Sequence, residues 1–313
     1  MKRLLIIRFS ALGDVAMVVP VVRALAEQHP ELEITVLSQN RMEDLFVDLP
    51  TNVHFLSVDL KKQSLREIIA DLGTYDYVAD LHGVWRSMMI RWAMRLRGAK
   101  VQTIQKGRFS RLLLTRKWTH KPLETTILRY CATLQSLGLS LDTPKAVLQT
   151  VGKGIGIAPY AAHKGKVYPL ERMERVVELL SEQGEQIVLF GNPSEASILE
   201  SWAKKYPNVK SVAGQHSLRK ELEIMRSLRI MLTMDSSNMH LASLVGTRVI
   251  SIWGATHPKA GFLGFGQQES DCIQRNDLPC RPCSIYGKKK CKYGDYRCLD
   301  ITPEEIVAKV CEL

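Results

Sequence analysis

The stretch IMLTMDSSNMHLASLVGTRVISIWG, Ile230 to Gly254, decides how the rest of the chain is read. Ile230 to Met234 is an unbroken apolar run, the pattern of a strand buried on both faces of a parallel sheet. Asp235, Ser236 and Ser237 follow, three consecutive residues of the types that cap helices. Asn238 to Val245 then reads as a short helix, Gly246 stops it, and Thr247 to Trp253 is a second, β-branched strand. The unit is βαβ, with a hydroxyl-rich turn at the carboxyl end of its first strand, where open α/β sheets bind ligands. The first amides of the helix and its dipole suit such a turn to a phosphate or pyrophosphate. The plainer reading is that Asp235 and the serines only cap the helix.

Composition sets the frame around this unit. The 313 residues suffice for two domains with separate cores, and 45% apolar with 24% charged residues is ordinary for a globular protein. No apolar run approaches the ~20 residues that span a bilayer. At the N-terminus, MKRLLIIRFS is interrupted by Arg8 and reads as a first strand of a cytoplasmic protein, not as a signal peptide. The net charge of +11 is uneven: eleven Lys and Arg and no Asp or Glu lie between Gly83 and Lys121. That window fits a solvated helix face, a nucleic-acid surface, or a surface that meets anionic lipid or a phosphorylated acceptor. Met88, Met89, Ile90, Trp92 and Leu112 to Leu114 interleave with the charges and favour an amphipathic, interfacial surface.

Strand and helix alternate outward from there. Strands are expected at 4–8, 33–38, 53–57, 76–80 and 100–104, and helices at 14–28, 41–48, 64–72, from Gly83 to about Arg97, and 122–137. Pro20 should kink or restart the first of these helices. Residues 139–154 break the alternation and read as a linker. A second series follows, with strands at 154–158, 186–190 and 208–212 and helices at 169–183, 194–205 and 217–227, leading into the unit quoted above. Thr302-Pro303-Glu304-Glu305 is a capping box that opens a last helix, 303–312. The outcome is an α/β protein with two doubly wound halves.

Three further turns carry chemistry. Ser10-Ala11-Leu12-Gly13-Asp14 sets a hydroxyl, a Gly and a carboxylate between strand and helix, and Asp14 is either an ordinary first-turn acid or a general base. Residues 157–169, IAPYAAHKGKVYP, present His163, Lys164 and Lys166 past a strand end, where lysines suit a diphosphate or are simply solvated. In Phe190-Gly191-Asn192-Pro193-Ser194-Glu195, Glu195 either favours a helix N-terminus or binds ribose hydroxyls.

Taken together, RFSALGDVAMVVP from Arg8, KVYP from Lys166, GNPSE from Gly191, MDSSNMHLA from Met234 and the following IWGATHP resemble, in order and spacing, the ADP-heptose:lipopolysaccharide heptosyltransferases of glycosyltransferase family nine. The resemblance spans essentially the whole chain. It implies the GT-B fold, two facing Rossmann-like domains with a central cleft: 1–150 for the acceptor, 151–300 for the nucleotide sugar, and a C-terminal helix over 301–313. It implies an inverting transferase that moves a sugar, heptose from ADP-heptose, to a lipid-anchored lipopolysaccharide core or related envelope glycan, as a monomer peripheral to the cytoplasmic face of the inner membrane. No cofactor is implied for catalysis and no nucleic acid as partner. Asp14 would be the base and Lys166 would neutralise the leaving diphosphate. Glu195 would hold the nucleoside, while Asp235, Ser236, Ser237 and His240 line the diphosphate and sugar pocket. Ser10, Gly13 and Lys164 join the donor side, and His82 and Arg86 the acceptor side. Ser237 departs from the family, which usually has Gly there. Without the family, His240 would be a packed helix histidine.

Cys280, Cys283, Cys291 and Cys298 fall within nineteen residues. In a cytosolic chain such density favours a structural Zn²⁺ over disulfides, with free thiols as the remaining reading. The alternative function is a basic nucleic-acid-binding protein with a zinc module, which lacks an RNA-binding signature. A dinucleotide enzyme is disfavoured because the first turn has no G-x-G-x-x-G.

Overall fold

The computed structural model of the protein describes residues 1–148 and 152–312. Its first half opens with β1 (Lys2–Ile7), whose Leu4 to Ile7 side chains are fully buried, followed by α1 (Leu12–Ala16) and α2 (Val18–Gln28). The break between the two helices is the expected effect of Pro20. That residue has no N–H for the Ala16 carbonyl and its ring crowds it, so the chain restarts with Pro20 in the first turn of α2. Then come β2 (Leu32–Gln39), a 3₁₀ turn over Asn40–Phe46 where an α-helix was expected, and β3 (Val53–Val58). Next are α3 (Leu65–Asp71), β4 (Tyr77–Asp80), α4 (Trp85–Leu96) and β5 (Lys100–Thr103). The five strands form one parallel sheet in the order β3-β2-β1-β4-β5.

Two helices follow: α5 (Arg108–Thr115), which the sequence reading did not expect, and α6 (Thr126–Gln135), which begins four residues later than expected. The second half holds β6 (Ile155–Ala158), α7 (Leu170–Glu182), β7 (Ile187–Leu189), α8 (Ala196–Lys205) and β8 (Val209–Ser211). It continues with α9 (Leu218–Arg226), β9 (Ile230–Met234), α10 (Ser237–Leu244) and β10 (Arg248–Trp253). An unexpected short strand β11 (Cys272–Gln274) and the final α11 (Pro303–Cys311) complete it. These strands form a second parallel sheet, β8-β7-β6-β9-β10-β11. Counted from its own first strand the order is 3-2-1-4-5-6, that of a doubly wound dinucleotide-type fold. In each sheet the winding direction reverses between two strands: β1 and β4 in the first, β6 and β9 in the second.

The chain divides into two compact units, residues 1–106 with 126–145, and residues 107–125 with 146–312. The boundary expected at 150/151 lies outside the described residues, as does the 149–151 part of the expected linker. Residues 107–125 depart from the expected 1–150 domain and belong to the second unit. The physical reason is local. The Arg111 guanidinium lies over the rings of Phe262 (4.9 Å) and Tyr286 (5.7 Å) and donates to the Tyr286 hydroxyl at 2.6 Å. Lys117 donates to the Pro282 carbonyl at 2.7 Å, and the Leu123 amide to the Lys259 carbonyl at 2.8 Å.

Candidate active-site residues

In the first unit, polar side chains collect beyond the carboxyl ends of β1 and β4. Asp14 stands in the first turn of α1, its side chain 30% exposed, with Oδ2 2.5 Å from Arg8 Nη2 and 3.3 Å from the Ala11 amide. The Tyr130 hydroxyl donates to the Asp14 carbonyl at 3.1 Å and fixes the turn from α6. Ser10 and Gly13 flank it, half-exposed and buried respectively. Past β4, the buried Asp80 uses Oδ1 to accept the amides of His82 (3.0 Å) and Gly83 (2.8 Å). Gly83 takes a positive φ of 58° to close that turn. His82 Nδ1 accepts the Phe9 amide at 3.4 Å, which leaves the proton on Nε2. Burial, then the charges of Arg8 and Lys106, push the His82 ring down to about 4, so it is neutral at physiological pH. Arg86 is exposed in the first turn of α4.

In the second unit, the loop after β6 and the turn after β9 meet at the reversal point of the sheet. Lys166 Nζ lies 2.8 Å from Asp235 Oδ2, both side chains largely buried. The contact is an ion pair without an aligned hydrogen bond. Ser236 is the N-cap of α10 by position, but its side chain caps nothing, and its hydroxyl lies 3.1 Å from that of Thr233. Capping therefore does not account for these hydroxyls, and the first amides of α10 lack a side-chain acceptor from the cap residue. Ser237 is the first residue of the helix and has no positive φ, so glycine's conformational freedom is not needed where the family usually has Gly. His240 is buried one turn further on.

Glu195 precedes α8, and its Oε2 accepts the Asn192 amide at 2.8 Å. Gly191 is required by this close approach, since a Cβ there would lie 2.6 Å from Leu199 Cδ1 and 3.0 Å from Glu195 Oε2. Tyr160, which the sequence reading gave no role, has a buried hydroxyl with no hydrogen-bond partner among the described residues. Burial and then the Glu195 charge both push its pKa above the ordinary phenol value. Lys164 is not turned to Asp235. Its ammonium lies over the Tyr296 ring at 5.6 Å and lines a separate cavity of about 490 Å³ with Tyr168, Arg172 and Arg297.

The expected zinc site is corrected. Among the described residues no group of three or more His, Cys, Asp or Glu side chains could hold a metal ion, and all seven cysteines are unbridged. Cys280, Cys283, Cys291 and Cys298 lie near enough to act on one another electrostatically, and three of them have further neighbours of their own. Cys283 Sγ lies 3.9 Å from the Ala255 carbonyl, Cys291 Sγ lies 3.9 Å from Asp295 Oδ1, and Cys298 packs into the core of the second unit. The loop is organised instead by buried Arg281, which donates to the carbonyls of Trp253, Gly254, Thr256 and Arg275.

Residues 65–294 match the profile of glycosyltransferase family 9 (heptosyltransferase). Lipopolysaccharide heptosyltransferase 3 of Escherichia coli is 23% identical over 278 residues, 78% of this chain and 81% of that protein. The glycosyltransferase family 9 structure from Veillonella parvula has a TM-score of 0.74 at 19% identity, covering 99% of this chain and 96% of that one. An E. coli heptosyltransferase solved with ADP-2-deoxy-2-fluoro heptose has a TM-score of 0.71 at 18% identity, covering 99% of each chain. The α/β architecture with two parallel sheets is the GT-B fold of these structures.

Proposed function

This chain belongs to glycosyltransferase family 9, the heptosyltransferases, and from that premise we propose that it transfers heptose from ADP-heptose to the core of lipopolysaccharide with inversion at the anomeric carbon. The observation that carries the reading is the Lys166–Asp235 pair at the reversal point of the second sheet, beside the N-terminus of α10. A lysine oriented by a buried carboxylate and a helix N-terminus are complementary to a leaving diphosphate. The E. coli protein solved with an ADP-heptose analogue and the lipopolysaccharide enzyme among the relatives support donor and acceptor respectively.

In this reading Asp14 takes the proton of the acceptor hydroxyl as that oxygen bonds to the anomeric carbon. The bond from that carbon to the diphosphate oxygen breaks, and its electron pair leaves with ADP, whose charge Lys166 and α10 offset. One displacement inverts the centre and needs no covalent enzyme intermediate or cofactor. Glu195 holds the ribose, Ser236, Ser237 and His240 the diphosphate and sugar, and His82 and Arg86 the acceptor; Ser10 and Gly13 serve the donor side, while Lys164, turned to Tyr296, is left out of it.

We place the work at the cytoplasmic face of the inner membrane. No helix among the described residues is long and apolar enough to cross a membrane. Helix α4 supports a surface association, because Trp85, Trp92 and Leu96 are 65%, 60% and 89% exposed and Arg86 and Arg95 lie exposed beside them.

The test is incubation of the purified chain with ADP-heptose and a heptose-deficient lipopolysaccharide core, with the product read by mass spectrometry and its anomeric configuration by NMR. Addition of one heptose with inverted configuration is expected. Absence of transfer from ADP-heptose, with transfer from a UDP- or GDP-sugar, overturns the donor assignment.

A further inference from the structure

We propose that Arg8 is the positioning residue for the base, holding one oxygen of the Asp14 carboxylate so that the other meets the acceptor hydroxyl. The inference rests on the reading of Asp14 as the base and goes beyond it to the group that sets its geometry. Both contacts of the carboxylate fall on one oxygen: Oδ2 takes Arg8 Nη2 at 2.5 Å and the Ala11 amide at 3.3 Å. Oδ1 accepts no hydrogen bond among the described residues and is the oxygen left for a proton.

Arg8 is itself held on three sides. Nη1 donates to the Leu81 carbonyl at 2.7 Å, just past β4. Its backbone amide donates to the Leu37 carbonyl at 3.2 Å, and its carbonyl accepts the Ser38 hydroxyl at 2.6 Å, both on β2. The side chain is only 10% exposed, so few rotamers are open to it. A carboxylate clamped by a group that cannot move is preorganised at no cost during the reaction.

A purely structural role explains this poorly. A charged guanidinium is expensive to bury, and Arg8 Nε is buried with no acceptor among the described residues. An apolar residue would close the end of β1 with less penalty. Retaining an incompletely satisfied cation against the one carboxylate of the turn fits a demand of the site.

The test compares wild type with Arg8→Met, Arg8→Lys, Arg8→Ala and Asp14→Asn, reading kcat, KM for the sugar nucleotide and ADP affinity. Arg8→Met is expected to lower kcat about 100-fold, the scale of a misplaced reacting group, with KM and ADP affinity changed less than about threefold. Arg8→Lys keeps the charge but cannot hold Leu81 and Asp14 together, and is expected to fall between, at about tenfold. Guanidinium in solution should restore part of kcat to Arg8→Ala and none to Asp14→Asn. If Arg8→Met is unstable, the lysine variant and the rescue decide. Arg8 variants with wild-type kcat beside an inactive Asp14→Asn overturn the inference alone. So does a kcat loss matched by equal loss of ADP affinity and unaffected by guanidinium. Wild-type turnover in Asp14→Asn overturns the base assignment, and the inference with it.

Discussion

At the scale of residues, the first unit concentrates charge in a small volume: Arg8, Asp14, Asp80, Arg91 and Lys106 surround a histidine that stays neutral. Arg91 Nη1 lies 3.6 Å from buried Asp80, so that carboxylate is spent on ordering the turn and balancing a cation. For His82 the consequence is measurable. Its ring is pushed from the ordinary 6.5 to about 4, first by burial and then by Arg8 and Lys106. Between those values the unfolded chain binds a proton that the folded chain refuses. The stability His82 contributes is therefore fully present above about pH 6.5 and lost as pH falls towards 4. An NMR titration of the His82 ring is expected to give a midpoint near 4 that rises when Arg8 is replaced by Met; a midpoint near 6.5 in the wild type contradicts this electrostatic picture. His257 in the second unit, also near 4 from burial and from Arg281, acts in the same sense. The segments that carry Asp14, Lys166 and Asp235 were legible as polar connections between an apolar strand and a helix, while the roles proposed for them came from the family resemblance. Arg8, Asp80 and Tyr160 were not. Their surroundings come from residues distant in sequence, such as Leu81 against Arg8 and Glu195 near Tyr160, which a linear pattern does not display.

At the scale of elements, the strands that reach both reversal points were readable as apolar runs, and Pro20 as a helix restart. The final helix was readable from its capping box, which forms with Glu305 Oε2 on the Thr302 amide at 2.7 Å and the Glu305 amide on the Thr302 hydroxyl at 3.2 Å. Helix α5 escaped because its basic and leucine residues resemble a solvated charge run until the rings of Phe262 and Tyr286 pack against Arg111. Helix α4 was readable as basic and amphipathic, but which apolar residues face outward was not. Ile90 and Met94 face the core of the first unit, whereas Trp85, Trp92 and Leu96 remain outside. Two tryptophans beside arginines form the pattern that settles at a headgroup boundary. The protein is expected to co-sediment with vesicles containing phosphatidylglycerol, less so at high salt and little with phosphatidylcholine alone. The double substitution Trp85→Glu and Trp92→Glu should abolish this without altering ADP affinity, and equal sedimentation of the two proteins would remove α4 from the membrane reading.

At the scale of the whole molecule, two parallel sheets each reverse their winding once, and the turns that carry Asp14 in the first and Lys166 and Asp235 in the second lie at those reversals, with Glu195 one strand away after β7. Two doubly wound halves were legible from the alternation of strand and helix. The assignment of residues 107–125 to the second unit was not, because it depends on ring stacking and carbonyl contacts far along the chain. The cysteine spacing was legible as a cluster, and the thiols do lie near one another, but among the described residues they form no group that could hold a metal ion. We propose that the second reversal point binds the diphosphate of an adenine sugar nucleotide, and the decisive measurement is calorimetric titration of ADP into wild type and Lys166→Ala. A charge-assisted contact of this kind contributes about 1.5–3 kcal/mol, so the substitution should weaken ADP binding by roughly 10- to 100-fold. Wild type should also prefer ADP to UDP and GDP. ADP bound equally by both proteins, or by neither, rules out a donor diphosphate at Lys166.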